Sequence, residues 1–388
     1  MTEREPFFDA DGHVMEPGDL WERFVEPPFR DCCITVTRDV EDGDKLLVAG
    51  RPASAIRRLG GMVPDPDAAI VDWSSAELPR YASYSASCTA ASYDPVARLA
   101  WMDAEGITAT FLFPSLGLLW PRDVDVRSPY ARAHFQAYNR WISEFSSADP
   151  GRLFPVGQLC FADDEPIESQ VAALLDLGVH HAMLPHGYGD ATEDEVARFW
   201  HTSEHELAAV HIHKAAMPHF LDGGSAVRLS SPTRGRFFHH IVETLPGYLC
   251  LSALFDQGVP DIVQNLRIAF HECNSSWVSS WIARAEESHQ TLGAAVDLQR
   301  PVAHYFDNSD IFFFSTSVAD LVPVEGPHRV SIMAATDYPH PGAEARPLLA
   351  WLDHIDGLAE EPATAILHDN AYRLAAISAA GGDNAHSR

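Results

Sequence analysis

Short apolar runs typical of β-strands recur along the chain, and segments of helical period separate most of them. Eight runs are predicted strands: Pro6–Asp11, Thr108–Pro114, Phe154–Cys160, His181–Pro185, Ala208–His213, Leu266–Glu272, Ile311–Ser315 and Val330–Thr336. The predicted helices are Val96–Glu105, Tyr130–Ala148, Pro166–Leu177, Glu193–Leu207, Phe237–Leu245, Val278–Thr291 and Glu361–Ser378. Strands that alternate with helices in this way are typical of parallel βα units.

Eight βα repeats in 388 residues predict an α/β fold, a (β/α)8 TIM barrel that forms a single domain over residues 1–378. The alternative is a doubly wound parallel sheet, but no G-x-G-x-x-G follows the first strand. Residues 379–388 are small and polar, and we expect them to be a disordered tail.

Two long stretches interrupt the regular spacing of strands and helices. About residues 14–107 separate the first two strands, and a second excursion covers about 214–263. Loops that leave the carboxyl ends of barrel strands build the active-site face, so we expect the first stretch to be a lid. Its aromatic residues require burial, which argues against a disordered insert: Trp21, Phe24, Phe29, Trp73 and Tyr81.

The charge excludes two classes of partner. The chain carries 27 Lys+Arg against 55 Asp+Glu, a net charge of −28, which disfavours nucleic acid and anionic lipid. No apolar run approaches the roughly 20 residues of a membrane helix. The first residues contain no basic-then-apolar leader, and the six cysteines include no C-x-x-C pair. We therefore expect a cytoplasmic protein with reduced thiols.

The first predicted strand closes with Asp9-Ala10-Asp11-Gly12-His13. Alternation places Asp9, Asp11 and His13 on one face, with the last two nearest the carboxyl end. Buried carboxylates and imidazoles require compensation, which a divalent cation supplies. A turn with a capping aspartate explains this motif alone equally well.

Polar residues also end three other predicted strands. The fifth ends at His211-Ile212-His213, with His213 nearer the active-site face and His211 a deeper partner; the sixth ends at His271-Glu272-Cys273, and the eighth runs into Asp337-Tyr338-Pro339-His340. Adjacent residues point to opposite faces, so only one of His271 and Glu272 should point into the barrel. Each motif alone favours a structural role, but four such ends in one barrel predict a metal site.

The segments DADGHVMEPGDLWERF, LRIAFHECNSSWVSSWIARAEE, ATDYPHP and ILHDNAYRL resemble the amidohydrolase-related family of metal-dependent TIM barrels. That family (amidohydrolase 2) includes hydrolases and aromatic-acid decarboxylases. The resemblance implies that Asp11 and His13 form the metal-binding motif of the first strand. It also implies His213 as the ligand on strand five and Asp337 as the acid on strand eight.

Asp11 and Glu272 stand where hydrolytic members more often have histidine. In this respect the chain resembles TIM-barrel non-haem diiron monooxygenases, which act largely on coenzyme A-linked substrates. We accordingly expect a centre of two iron ions, with zinc or manganese as alternatives. The expected ligands are Asp11, His13, His213, Glu272 and Asp337, completed by one of His186, His211, His271 and His340, among which His186 and His340 are preferred. The expected catalytic residues are Glu272, Asp337 and His271.

The expected reaction is O₂-dependent hydroxylation of an apolar carboxylic acid or its coenzyme A thioester. Five ligands exceed the three protein ligands of a typical catalytic zinc, and a long lid could exclude water from a reactive iron–oxygen species. The alternative is a zinc- or manganese-dependent hydrolase or non-oxidative decarboxylase of the same family, in which Glu272 would serve as a base.

Arginines in the two long stretches are candidate substrate ligands. We expect Arg57 and Arg58 in the first stretch and Arg234 in the second to bind an anionic group, either a carboxylate or the phosphates of a coenzyme A carrier. Surface ion pairs with the abundant acids are the alternative. The family resemblance also implies a homodimer.

Overall fold

Eight parallel strands form the centre of the molecule. The structure, a computed structural model, describes residues 6–37, 44–53, 84, 88–213, 244–292, 298–307, 311–317, 328–340, 346–355 and 360–376. The strands of the large sheet are β1 (Phe7–His13), β5 (Ile107–Phe113), β6 (Leu153–Gly157), β7 (His181–Met183), β8 (Ala209–His213), β9 (Arg267–His271), β10 (Phe312–Thr316) and β11 (Ser331–Ala334). They pair in that order, and neighbouring strands run parallel to each other.

The two ends of this sheet meet and close the barrel. Just after β11, the backbone N–H of Asp337 donates to the Asp11 carbonyl at 2.8 Å, and the His13 N–H donates to the Tyr338 carbonyl at 2.7 Å. The buried carboxylate of Asp9 accepts from the N–H and the hydroxyl of Thr336 at 2.9 and 2.8 Å. The predicted (β/α)8 barrel is therefore confirmed, and all eight predicted strands are present.

Helices follow most of the barrel strands and cover the outside of the sheet. They are α1 (Leu20–Phe24), α2 (Pro95–Glu105), α3 (Pro129–Ser146), α4 (Ile167–Asp176), α5 (Glu193–Glu206), α6 (Leu245–Asp256), α7 (Val259–Ile262), α8 (Val278–Leu292), α9 (His304–Asp307), α10 (Pro347–Ile355), α11 (Glu360–Thr364) and α12 (Asn370–Ala375). Local signals fix several ends. Thr192 and Glu195 form a capping box on α5, and Gly106 ends α2 with a φ of 78°.

One predicted helix lies mostly outside the described residues, and another is interrupted. The predicted helix 237–245 lies mostly outside the described residues, and α6 begins where that prediction ends, with Pro246 in its first turn. The last predicted helix is present, but a π-helical turn at Ala365–Asp369 separates α11 from α12. Such turns are not visible in the hydrophobic pattern because they change the hydrogen-bond register by a single residue.

The first long stretch contains a small sheet that the sequence analysis did not predict. Strands β2 (Thr35–Thr37), β3 (Lys45–Val48) and β4 (Arg51–Pro52) pair in antiparallel fashion. Trp21 is fully buried, and Phe24 and Phe29 pack against the same apolar cluster. Trp73 and Tyr81 lie outside the described residues. The division into one domain, two insertions and a disordered tail stays a prediction.

Aromatic and small side chains fill the barrel interior below its carboxyl end. Phe8, Phe111 and Phe313 are fully buried among alanines and methionines. All six cysteines are free thiols. Among the described residues no helix is long and apolar enough to span a membrane.

Candidate metal centre

Side chains from two barrel strands and from the segment after a third converge at the carboxyl end of the barrel. Asp11 and His13 come from β1, His213 from β8 and Asp337 from the segment after β11. The Nε2 atom of His13 lies 3.3 Å from His213 Nε2, 3.5 Å from Asp11 Oδ1 and 3.3 Å from Asp337 Oδ1. His213 Nε2 also lies 3.7 Å from Asp11 Oδ1. Asp11, His13 and His213 therefore form one group of potential ligands, and Asp337 lies against the same nitrogen of His13.

These separations fit a divalent metal ion. Ligands bound at roughly 2.1 Å in tetrahedral geometry are about 3.4 Å apart. Hydrogen bonds between the same atoms would be near 2.9 Å. The observed 3.3–3.7 Å matches the edges of a coordination tetrahedron better than a hydrogen-bond network. Two carboxylates and two imidazoles without a thiolate suit manganese, zinc or iron.

The surroundings of His13 favour the neutral tautomer whose Nε2 atom can bind a metal. Its Nδ1 atom lies 2.9 Å from the carbonyl oxygen of Pro114, which can only accept. The ring proton therefore resides on Nδ1, and the Nε2 lone pair points at the cluster. Burial holds the pKa of His13 well below its usual value, so the ring is neutral, as a metal ligand must be.

The backbone of two carboxylate residues is unusual at this face. Glu272 and Asp337 have φ values of 53° and 56°, in the left-handed region that non-glycine residues rarely adopt. Glu272 follows β9, and its Oε2 atom lies 3.8 Å from His213 Nε2. Both side chains are about a quarter exposed, at 24%. Such backbone outliers persist where the surrounding structure over-determines them, which is frequent at functional sites.

His340 lies against the cluster and contacts Asp337. Its Nδ1 atom is 2.7 Å from Asp337 Oδ1, and its ring centroid is 3.9 Å from that of His13. Its Nε2 atom is 2.8 Å from the Ser115 hydroxyl. Burial lowers the pKa of His340, but the carboxylates of Asp337, Glu272 and Glu16 outweigh burial, so the pKa is raised overall. Among the described residues, His340 forms a second group of potential ligands with His13 and Asp337.

No protein-family model matches the chain, and no curated protein sequence matches it. Several solved structures do match the chain. An amidohydrolase from Mycobacterium avium subsp. paratuberculosis is 18% identical with a TM-score of 0.75, over 97% of this chain and 99% of that one. IDCase from Metarhizium anisopliae is 17% identical with a TM-score of 0.63, over 95% and 96%. A 5-carboxyvanillate decarboxylase from Novosphingobium aromaticivorans, with bound manganese and 3-methoxy-4-hydroxy-5-nitrobenzoic acid, is 15% identical with a TM-score of 0.57, over 95% and 96%.

The chain shares the (β/α)8 fold of these solved structures. The prediction of a diiron monooxygenase is wrong, because the solved structures that share the fold are amidohydrolases and decarboxylases. These neighbours agree with the alternative, a metal-dependent hydrolase or decarboxylase. A larger number of potential ligands than one ion needs does not by itself indicate a second ion. The carboxylates of Asp11 and Glu272 are equally compatible with manganese or zinc.

His271, predicted as catalytic, lies below the cluster inside the barrel. Its Nε2 atom is 2.9 Å from His211 Nδ1, and His211 Nε2 is 3.2 Å from His181 Nδ1. Burial lowers the pKa of His271 to about 3. The ring of Phe113 packs between these histidines and the cluster, with centroids 4.7 Å from His271 and 5.8 Å from His13. His271 is therefore part of a buried histidine row, and Glu272 is the residue of this pair that reaches the active-site face.

His186 is not part of the cluster. The His186 ring stacks on Phe135 with centroids 4.5 Å apart, and its Nε2 atom is 3.2 Å from Gln158 Nε2. His186 belongs to neither group of potential ligands found among the described residues. Arg57, Arg58 and Arg234 lie outside the described residues, so their role stays a prediction.

Three residues that support the cluster were missed by the sequence analysis. The buried Glu16 carboxylate accepts from the N–H groups of Ser115, Leu116 and Gly117, and Ser115 contacts His340. Arg98 is fully buried and donates to the His13 carbonyl. Ser115 is the first polar residue after the second predicted strand, so the strand-end criterion could have found it. Glu16 and Arg98 carry no comparable signal.

Proposed function

We propose that Asp11, His13, His213 and Asp337 bind one divalent metal ion, manganese or zinc. The observation that carries this proposal is the 3.3–3.7 Å spacing of the Asp11, His13 and His213 ligand atoms, with Asp337 Oδ1 at 3.3 Å from the same His13 nitrogen. The hydrogen bond from His13 Nδ1 to Pro114 supports it, because it fixes the tautomer that a ligand requires.

One ion fits this arrangement better than two. Both groups of potential ligands contain His13, and its Nδ1 atom is committed to a backbone carbonyl. Nε2 is then the only atom of His13 that can bind a metal, and one imidazole nitrogen binds one ion. The two groups therefore describe alternative surroundings of the same ion.

The proposed activity is the metal-dependent, O₂-independent decarboxylation of a small carboxylic acid, with hydrolysis of a small acid derivative as the second candidate. The decarboxylase with this fold holds manganese and a nitrobenzoic acid. We therefore propose a free aromatic or similarly flat acid as substrate, rather than a coenzyme A thioester. Arg57, Arg58 and Arg234 remain predicted ligands of its anionic group, and a homodimer remains a prediction.

Among the described residues, Glu272 is well placed to move a proton. When bound, a divalent ion at the site supplies a Lewis acid for substrate oxygens. In decarboxylation the bond between the carboxyl carbon and its neighbour breaks, CO₂ leaves, and the neighbouring carbon takes a proton. Glu272 can deliver that proton because its carboxyl group is partly exposed beside His213. In hydrolysis the same group would accept a proton from water.

Metal content and dependence on O₂ test the proposal. Protein purified without chelator should contain about one equivalent of manganese or zinc by mass spectrometry. His13→Ala and His213→Ala should lose it, whereas His201→Ala, at an exposed position on α5, should retain it. Release of CO₂ from candidate benzoic acids should proceed equally with and without oxygen. Two equivalents of metal, or turnover that requires O₂, would overturn the proposal.

A further inference from the structure

Two histidines flank the Asp337 carboxylate, and they differ in what their second ring nitrogen contacts. His13 uses Nδ1 on Pro114 and leaves Nε2 facing the cluster. His340 has Nδ1 at 2.7 Å from Asp337 Oδ1 and Nε2 at 2.8 Å from Ser115 Oγ. Both nitrogens of His340 are therefore engaged by protein oxygens, and neither is left to bind an ion.

The direction of the hydrogen bonds at Ser115 is determined by its neighbours. The Ser115 hydroxyl donates its single proton to the Val14 carbonyl at 2.8 Å. It can therefore only accept from His340, whose Nε2–H must be the donor. The His340 ring is held at one end by this bond, and its other end meets the Asp337 carboxylate.

Ser115 is itself held in place by a buried carboxylate. Its backbone N–H donates to Glu16 Oε2 at 3.2 Å, and the following two N–H groups donate to the same side chain at 2.9 and 2.7 Å. Glu16 and Ser115 are both essentially inaccessible to solvent. The loop after β5 is thus tied to the segment after β1, and Ser115 offers a fixed acceptor to His340.

The Asp337 backbone is fixed independently of its side chain. Its N–H donates to the Asp11 carbonyl at 2.8 Å, and the His340 N–H donates back to the Asp337 carbonyl at 2.8 Å. What remains to be set is the rotation of the carboxylate. His340 Nδ1 contacts Oδ1 at 2.7 Å, and this same oxygen lies 3.3 Å from His13 Nε2.

We propose that His340 is a positioning residue that orients Asp337 toward the metal and is not itself a metal ligand, with Ser115 holding the His340 ring. This inference rests on the proposed metal centre and assigns a role that neither the family resemblance nor the neighbouring structures give. Residues that orient a metal ligand typically contribute 10–100-fold in metal affinity. Ser115 acts through His340, so its effect should depend on the presence of that ring.

The test measures Mn²⁺ affinity of the purified chain and counts imidazole ligands by pulsed electron paramagnetic resonance of the Cu²⁺-loaded protein. His340→Ala should weaken Mn²⁺ binding by about 10–100-fold. His340→Asn should recover most of that loss, because its amide can donate to Asp337 from nearly the position of Nδ1. Ser115→Ala should weaken binding in the wild-type protein but not further in His340→Ala. Ser147→Ala, at an exposed position, is the matched control.

The number of imidazoles coupled to Cu²⁺ shows whether His340 is a positioning residue or a metal ligand. Two coupled imidazoles are expected in the wild type and in His340→Asn. Three in the wild type, with one lost in His340→Asn, would make His340 a ligand and overturn this inference while the metal centre stands. Unchanged Mn²⁺ affinity in His340→Ala would also overturn it. A wild-type protein that binds no metal would refute the proposed function and this inference together.

Discussion

Gly12 lies between the two β1 residues of the metal cluster, and replacing it with alanine tests how tightly that strand is packed. An added Cβ would lie 2.8 Å from Asp9 Oδ2, 3.1 Å from the Phe111 carbonyl oxygen and still nearer to Thr110 Oγ1. All three distances are shorter than carbon–oxygen contacts normally allow. Because Asp9 and Thr110 are fully buried, neither can move into solvent.

The expected cost follows from these contacts. Overpacking a rigid interior costs about 1–3 kcal/mol. The hydroxyl of Thr110 donates to Phe111 at 2.8 Å and that of Thr336 to Asp9 at 2.8 Å. Disturbing these two hydrogen bonds adds about 1 kcal/mol each. Alanine regains roughly 0.4–1 kcal/mol by restricting the unfolded chain. We expect Gly12→Ala to lower the free energy of unfolding by about 2–4 kcal/mol.

The assay is chemical denaturation of the metal-free protein, followed by Mn²⁺ titration. Gly151→Ala is the matched control, because its Cβ would meet only Asp149 Oδ1 at 3.5 Å. It should stay within about 0.5 kcal/mol of the wild type. Adding Thr110→Ala to Gly12→Ala should restore part of the loss, since it removes the nearest atom. A Gly12→Ala protein with wild-type stability and Mn²⁺ affinity would refute this account of the strand.

Three further predictions concern stability. Chelation should lower the free energy of unfolding, because the ion binds only the folded chain. The expected loss is about 4 kcal/mol relative to protein at a metal concentration 1,000-fold above Kd. An unchanged denaturation midpoint would contradict a bound ion. Glu16→Gln should cost about 1–3 kcal/mol, because one of three buried N–H donors loses its acceptor, whereas the exposed Glu22→Gln should cost little. Burial lowers the pKa of His181 to about 3, so below pH 6.5 the unfolded state binds a proton that the folded state excludes. Stability of the metal-free protein should therefore fall as pH drops from 6.5 toward 3, by up to about 1.4 kcal/mol per pH unit for this residue. His181→Asn should reduce that slope, whereas the exposed His201→Asn should not.

Much of the fold and part of the candidate site follow from local patterns in the sequence. Alternating apolar runs and helical periods are properties of short segments, so the eight strands were visible without tertiary information. The carboxyl ends of parallel barrel strands lie on one face. Polar residues at those ends therefore had to lie near one another, and Asp11, His13, His213 and Asp337 do.

Several features depended on contacts that no local pattern encodes. Strand alternation allowed only one of His271 and Glu272 to face the interior, but the left-handed backbone of Glu272 lets both reach inward, at different depths. The number of potential ligands did not give the number of ions. The proposal of a single ion depends on one hydrogen bond, from His13 Nδ1 to the Pro114 carbonyl.

The sequence by itself determined the order of the strands, the face on which the site lies and the residue types available there, because these depend on periodicity and on the parallel arrangement of βα units. Only the tertiary structure decided what each ring nitrogen of His13 and His340 contacts. His340 and Ser115 are 225 residues apart in the chain, yet their 2.8 Å contact helps to distinguish a positioning residue from a ligand. Hydrogen bonds act over about 3 Å and require defined directions, so only closure of the barrel brings such partners together.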